Sequence, residues 1–128
     1  MREIKFRGYD KFDKRWVYGY GLHQAVFEDG SSNAYVTAGI REVFIVDKES
    51  AGQYTGCEDA NGNEIYEGDI VETTRGLNHI IGAVIYRKAS WYIQSKEGYN
   101  VRLISIFSTA ENKIIGNVYE NKELLEVK

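Results

Sequence analysis

The chain has 128 residues, a formal net charge of −3, 43% hydrophobic and 27% charged residues. That length fits one compact domain with a modest core, so a single domain over 1–128 is expected. Pro 0, Cys 1 and Gly 13 exclude collagen-like, proline-rich and disulfide-framework chains, and seventeen aromatics (Tyr 10, Phe 5, Trp 2) argue against disorder.

The first segment, Met1-Arg2-Glu3-Ile4-Lys5-Phe6-Arg7, is interrupted by charge after every one or two residues, so it does not read as a secretory signal. No window approaches the roughly 18 apolar residues of a membrane span. With a single cysteine, Cys57, the cytosol is the expected compartment and no membrane partner is expected. Charge is unevenly spread. Glu42 to Glu72 holds nine acids and one base, whereas Thr73 to Arg102 holds five bases and one acid. The bland explanation is an ordinary mixed surface. The sharper one is a bipolar molecule that pairs with itself or offers a basic face to an anionic partner. A pI near 5.4 argues against tight nonspecific nucleic-acid binding.

Strand signals dominate in chain order. Ile4 and Phe6 alternate with Lys5 and Arg7, and Tyr9 to Arg15 reads as a hairpin turn. Trp16, Tyr18, Tyr20 and Leu22 share one face of a period-2 stretch. Gly19 and Gly21 on the other face fit a bend or a close backbone approach. Glu28 to Asn33 is a loop, and Ala34 to Val46 is strand-like with a break near Gly39. Gln53-Tyr54-Thr55 and Ile65-Tyr66 flank Asn61-Gly62, the strongest hairpin signal in the chain because both residues tolerate positive φ. Glu67-Gly68-Asp69 turns into Ile70 to Thr73, and Arg75 to Asn78 is a further loop. Ile80 to Tyr86 is apolar on both faces, as a central strand would be. Ser90 to Gln94, Val101 to Phe107 and Lys113 to Tyr119 complete the strands. Glu120 to Glu126 reads as a short C-terminal helix of at most about two turns. Many short strands with regular turns predict an all-β to β-rich α+β fold, barrel-like or sandwich-like.

Three blocks resemble the YopX family of phage and prophage proteins. They are Ile4 to Asp10 followed by Trp16, the run GQYTGCEDANGNEIYEGDIV from Gly52 to Val71, and Ile114 to Asn121 followed by Leu124-Leu125. Cys57 departs from the family's usual aliphatic residue, and Lys122 from its usual proline. The resemblance implies a mostly β pseudo-barrel with a small barrel element of the SH3 type, homo-oligomeric, of phage or prophage origin in a bacterial host. It implies no established activity and no catalytic residues.

The middle block has a structural explanation. Asn-Gly fixes hairpin register, Gly68 permits a turn, Asp69 can accept backbone hydrogen bonds as an Asx turn, and Tyr54 and Tyr66 can pack beside the hairpin. The functional alternative is that Tyr54, Thr55, Tyr66 and Asp69 line a binding face. Asp59, Asn61 and Gly62 echo a calcium loop. With Gly62 at position 6, however, position 1 is Cys57 and position 12 is Gly68, so the ligands are missing. His23, Cys57 and His79 lie too far apart for a zinc motif, and Glu58 and Asp59 beside Cys57 oppose thiolate formation. No metal, cofactor or small-molecule substrate is expected. Clustered Glu64, Glu67 and Asp69 are the residues an enzyme would use, an unfavoured alternative.

The best binding signal is Tyr86-Arg87-Lys88-Ala89-Ser90-Trp91-Tyr92, which interleaves two bases with three aromatics. A sheet face carrying Arg87, Lys88, Trp91 and Tyr92 suits single-stranded nucleic acid. The competing explanation is that Tyr86 and Trp91 are core and Arg87-Lys88 only charge a hairpin turn. The leading expectation is a noncatalytic binding or self-assembling module, with nucleic-acid binding as the alternative.

Overall fold

The structure, a computed structural model describing residues 3–103 and 112–127, places strands where β-branched and aromatic residues alternate with polar ones. The described residues are mostly β-strand, and none of their helices reaches seven residues. The chain divides into two compact units, Met1–Tyr54 and Thr55–Lys128.

In the first unit, β1 (Phe6–Asp10) and β2 (Arg15–Gly19) form an antiparallel hairpin with Tyr9 opposite Trp16. Those two rings meet edge to face at 5.5 Å. The turn is held by Asp10, whose Oδ1 accepts the amides of Phe12 (2.9 Å) and Asp13 (3.2 Å). β3 (Gly21–Val26), β4 (Ser32–Gly39) and β5 (Glu42–Val46) form a separate meander in the order β3-β4-β5. Trp16 to Leu22 is therefore two strands rather than one. The break has a steric cause: a Cβ on Gly19 would lie 2.4 Å from Thr37 O, and the next amide, Tyr20 N, donates to that oxygen at 2.8 Å. Alternation along the meander turns Leu22, Ala34, Val36, Phe44 and Val46 to one side, where they pack with Val17 as the unit's core. A 3-10 turn, Lys48–Ser50, leads into β6 (Gly52–Glu58), whose first residues pair with Phe6 and Arg7.

In the second unit, β7 (Glu64–Tyr66), β8 (Asp69–Arg75), β9 (Asn78–Arg87), β10 (Ser90–Ser95), β11 (Asn100–Arg102) and β12 (Lys113–Asn117) follow β6. Five of them form an antiparallel sheet ordered β11-β10-β9-β8-β12. The apolar run Ile80 to Tyr86 thus lies in the central strand. Ile65, Val71, Ile80, Val84, Ile93 and Leu103 make the core, with Cys57, Trp91, Val101 and Ile114 packed against it. Of the expected strand Val101 to Phe107, residues 104–107 lie outside the described residues. The C-terminal helix is a single 3-10 turn, Lys122–Leu125, shorter than the two turns expected. Its four residues bury no side chain, which offers too little to stabilise an α-helix.

Candidate functional site

Two acids of the middle block, Asp59 and Asp69, accept hydrogen bonds from nearby backbone. Asp59 is buried, and its Oδ1 accepts the amides of Asn61 and Asn63, each at 2.9 Å, while Oδ2 accepts Ile114 N at 3.2 Å. Burial works to raise its pKa. The amides of Asn63, Ile114 and Asn61 outweigh that and hold the carboxyl below the usual carboxylate range. The hairpin signal at Asn61-Gly62 marks a real turn, but of a different kind from the one expected. Only Gly62 takes positive φ (+84°), and its amide donates to Asp59 O at 3.0 Å, so the turn spans Asp59–Gly62. Asp69 is 2% exposed, and its Oδ2 accepts Tyr66 N at 2.8 Å. Tyr66, also 2% exposed, donates its hydroxyl to Glu64 at 3.1 Å. Thr55 Oγ1 donates to Ile65 O at 2.8 Å. Tyr54 is buried in the first unit, with Lys5 Nζ 5.7 Å from its ring centroid. Within this block Tyr54, Thr55, Asp59, Ile65, Tyr66 and Asp69 are thus buried, whereas Glu58, Asn61 and Asn63 are exposed.

The histidines and the cysteine each have their own surroundings. His23 lies in the first unit and stacks on Tyr35 at 5.1 Å. In the second, His79 Nε2 sits 3.2 Å from Glu72, and Cys57 packs against the core, where burial pushes its thiol pKa up. Burial, rather than the neighbouring acids, is the cause. Among the described residues no group of three His, Cys, Asp or Glu side chains could hold a metal ion. No described helix is long and apolar enough to cross a membrane.

The basic-aromatic segment forms the β9–β10 hairpin. Arg87 pairs with Ser90, Tyr86 with Trp91 and Ile85 with Tyr92, so the loop is only Lys88-Ala89. Both loop residues have positive φ, 50° and 62°, the signature of a type I′ turn. Alternation then sorts the segment between two faces. Trp91, opposite Tyr86 and in line with Val84 and Ile93, faces the core and packs on it. Tyr86 lies at the rim, 55% exposed, its ring edge to face with Trp91 at 4.9 Å. Tyr92 faces the other way. Its direct neighbours are Ile85 on β9 and Arg102 on β11, and Arg87 is the diagonal neighbour one row toward the loop. Gln94 and Asn100 continue the row below, also opposite each other. Arg87, Lys88, Gln94, Asn100 and Arg102 are exposed, and Tyr92 is half-buried.

Arg87, Lys88 and Tyr92 therefore come together on one outer face and its tip, Trp91 belongs to the opposite face, and Tyr54, Tyr66 and Asp69 lie elsewhere. Sequence reasoning missed Arg102 as a member of this face. The turn residues Glu97-Gly98 between two polar strands could have signalled that β11 folds back on β10.

Residues 5–126 match the family model described as YopX protein. The chain belongs to the YopX family. Among solved structures, yopX from Bacillus subtilis is similar at 20% identity, covering 97% of each chain, with a TM-score of 0.56. Protein EF1440 from Enterococcus faecalis is similar at 22% identity, covering 96% of this chain and 98% of its own, with a TM-score of 0.50. Among curated proteins nothing matches. The likeness to these YopX-type structures concerns the fold alone. Cys57 is accommodated as an apolar side chain packed on the second core.

Proposed function

We propose that this YopX protein is a noncatalytic binding module whose working surface is the outer face of β9, β10 and β11, and that single-stranded nucleic acid is its partner. The carrying observation is the cross-strand row Ile85–Tyr92–Arg102 with Arg87 diagonal to it. An aromatic ring flanked by two guanidinium groups supplies one stacking platform and two phosphate contacts. Lys88 at the exposed tip adds a third cation. The backbone bond of Asp69 and the tyrosine bond of Glu64 support the noncatalytic part, because they commit two of the three clustered carboxylates an enzyme would use.

Fluorescence anisotropy with labelled single strands tests this. Three phosphate contacts predict a log K against log salt slope of about −2. Tyr92→Ala is expected to weaken binding by about 1–3 kcal/mol, and Arg87→Ala with Arg102→Ala to flatten the slope to about −0.7. No anisotropy change at low salt and tens of micromolar protein removes the reading.

A specific observation also favours self-association. Among the described residues β3 pairs with β4 on one side and with no strand on the other. Gly21–Val26 carries no lysine or proline to guard that edge. Light scattering that reports a monomer across a hundredfold range of protein concentration counts against assembly through β3.

A further inference from the structure

We propose a second binding site, in the first unit, for a small oxyanion carried on an apolar body. A cleft of about 260 Å³ lies between the β1–β2 turn, the start of β4 and the end of β5, and Lys11, Phe12, Ser32, Ile45, Asp47 and Lys48 contribute to its lining. That volume has room for about nine water-sized groups, at ~30 Å³ each. A benzene-sized body with one anionic substituent is of this order. A neighbouring cleft of about 460 Å³ shares Lys48 and Ala34 with it, so Lys48 stands where the two meet.

The charges of the first cleft divide unequally. Lys11 Nζ lies 3.1 Å from Asp47 Oδ2, so those two offset each other. Lys48 donates to Ser32 Oγ at 3.0 Å, and Gln24 Nε2 donates to the same oxygen at 2.9 Å. Ser32 thus has both lone pairs occupied, and its hydroxyl proton is left to donate. Lys48 has three protons and spends one on Ser32. Among the described residues no carboxylate lies within ion-pair distance of it. The pair is therefore a donor set with one surplus positive charge, and an oxyanion supplies what it lacks. The walls supply the second half of the recognition. Phe12 is 82% exposed at the mouth, and Ile45 is exposed beside it. Both lose solvent contact when an apolar body enters.

The test is a nitrogen-15 amide titration of the full chain with phenyl phosphate and, in a parallel arm, benzoate. These tell a phosphate ligand from a carboxylate one. Either is expected to give saturable shifts at Ser32, Asn33 and Lys48, with a dissociation constant on the order of millimolar. Lys48→Met is expected to weaken binding tenfold or more, and Ser32→Ala about threefold. Unchanged amide positions in β1 and β2, residues 6–10 and 15–19, of both variants show that the fold of the first unit has survived. Shifts that fail to saturate in both arms overturn the site. So does saturation that Lys48→Met leaves unchanged, or inorganic phosphate binding as tightly as phenyl phosphate.

Discussion

The Lys88-Ala89 turn holds two side-chain-bearing residues in the left-handed region, at φ 50° and 62°. Steric contact of Cβ with the following carbonyl makes that conformation unfavourable by about 1–2 kcal/mol per residue. Asparagine and glycine are the residues a two-residue type I′ loop favours, so Lys88→Asn with Ala89→Gly relieves both positions. Glycine returns roughly 0.5–1 kcal/mol of that gain through the entropy of the unfolded chain. The net stabilisation is then about 1.2 kcal/mol, the larger share from position 89. With an unfolding entropy of about 2.1 cal/mol/K per residue, the melting temperature rises by about 4 °C if the chain unfolds as one, and by about 8 °C if the second unit melts alone. Urea unfolding followed by circular dichroism checks it: the midpoint moves up and the slope m stays the same. Ala89→Val, which places a β-branched residue at positive φ, is expected to move the midpoint the other way by a similar amount. A double variant no more stable than the parent, or a neutral Ala89→Val, refutes the turn geometry. Ala89→Gly by itself leaves every cation of the tip in place, so it stabilises without changing nucleic-acid affinity. Lys88→Asn reduces the salt slope by about 0.7.

Gly82→Ala is expected to destabilise by about 2–3 kcal/mol in urea unfolding, because the new Cβ would meet Gln94 O at 2.3 Å and neither central-strand backbone can give way. Asp59→Asn is expected to lower stability by about 1–3 kcal/mol at neutral pH, since charge-assisted bonds to three amides become neutral ones. The folded-state pKa of Asp59 is lowered, so its contribution is present above the unfolded value of about 4 and is lost as pH falls through the folded one. Denaturation at a series of pH values should therefore show a constant gap between parent and variant above about pH 5 that closes below about pH 4. Burial raises the Cys57 thiol pKa, so iodoacetamide should modify the native chain more slowly than the urea-unfolded chain at pH 8, as followed by mass spectrometry.

Alternation and turn chemistry made much of this molecule legible from residue types. Ile80 to Tyr86 reads as central because both of its faces are apolar, and β9 is central. Gly39 reads as a break, and β4 ends there, with a register shift between Thr37 and Gly39. What escaped depends on partners distant in sequence. Close approach is found at Gly19, where the approaching atom is Thr37 O, and only that contact makes one apparent strand into two; Gly21 has room for a Cβ, with Thr37 Cβ at 3.5 Å. The Asp59 turn escaped for a similar reason. Asn61-Gly62 suggested a two-residue loop, while a third amide, from Ile114, helps to anchor the carboxylate that sets the turn.

The binding segment shows most directly why composition cannot define a face. Tyr86 to Tyr92 reads as one basic-aromatic patch, yet a strand sends neighbours to opposite sides. Trp91, partly buried, packs against the core in line with Val84 and Ile93, while Tyr92, one residue on, lies on the other face between Ile85 and Arg102. A run of seven residues therefore supplies one platform ring rather than three. The missing cation comes from β11, ten residues along the chain from Tyr92. Exchanging the two aromatics by function separates these roles. Trp91→Ala should lower stability by about 3–5 kcal/mol through the loss of core packing, whereas Tyr92→Ala should act mainly on affinity. If Tyr92→Ala unfolds the chain as readily as Trp91→Ala does, the outer face is a second packing surface, and the nucleic-acid reading loses its platform.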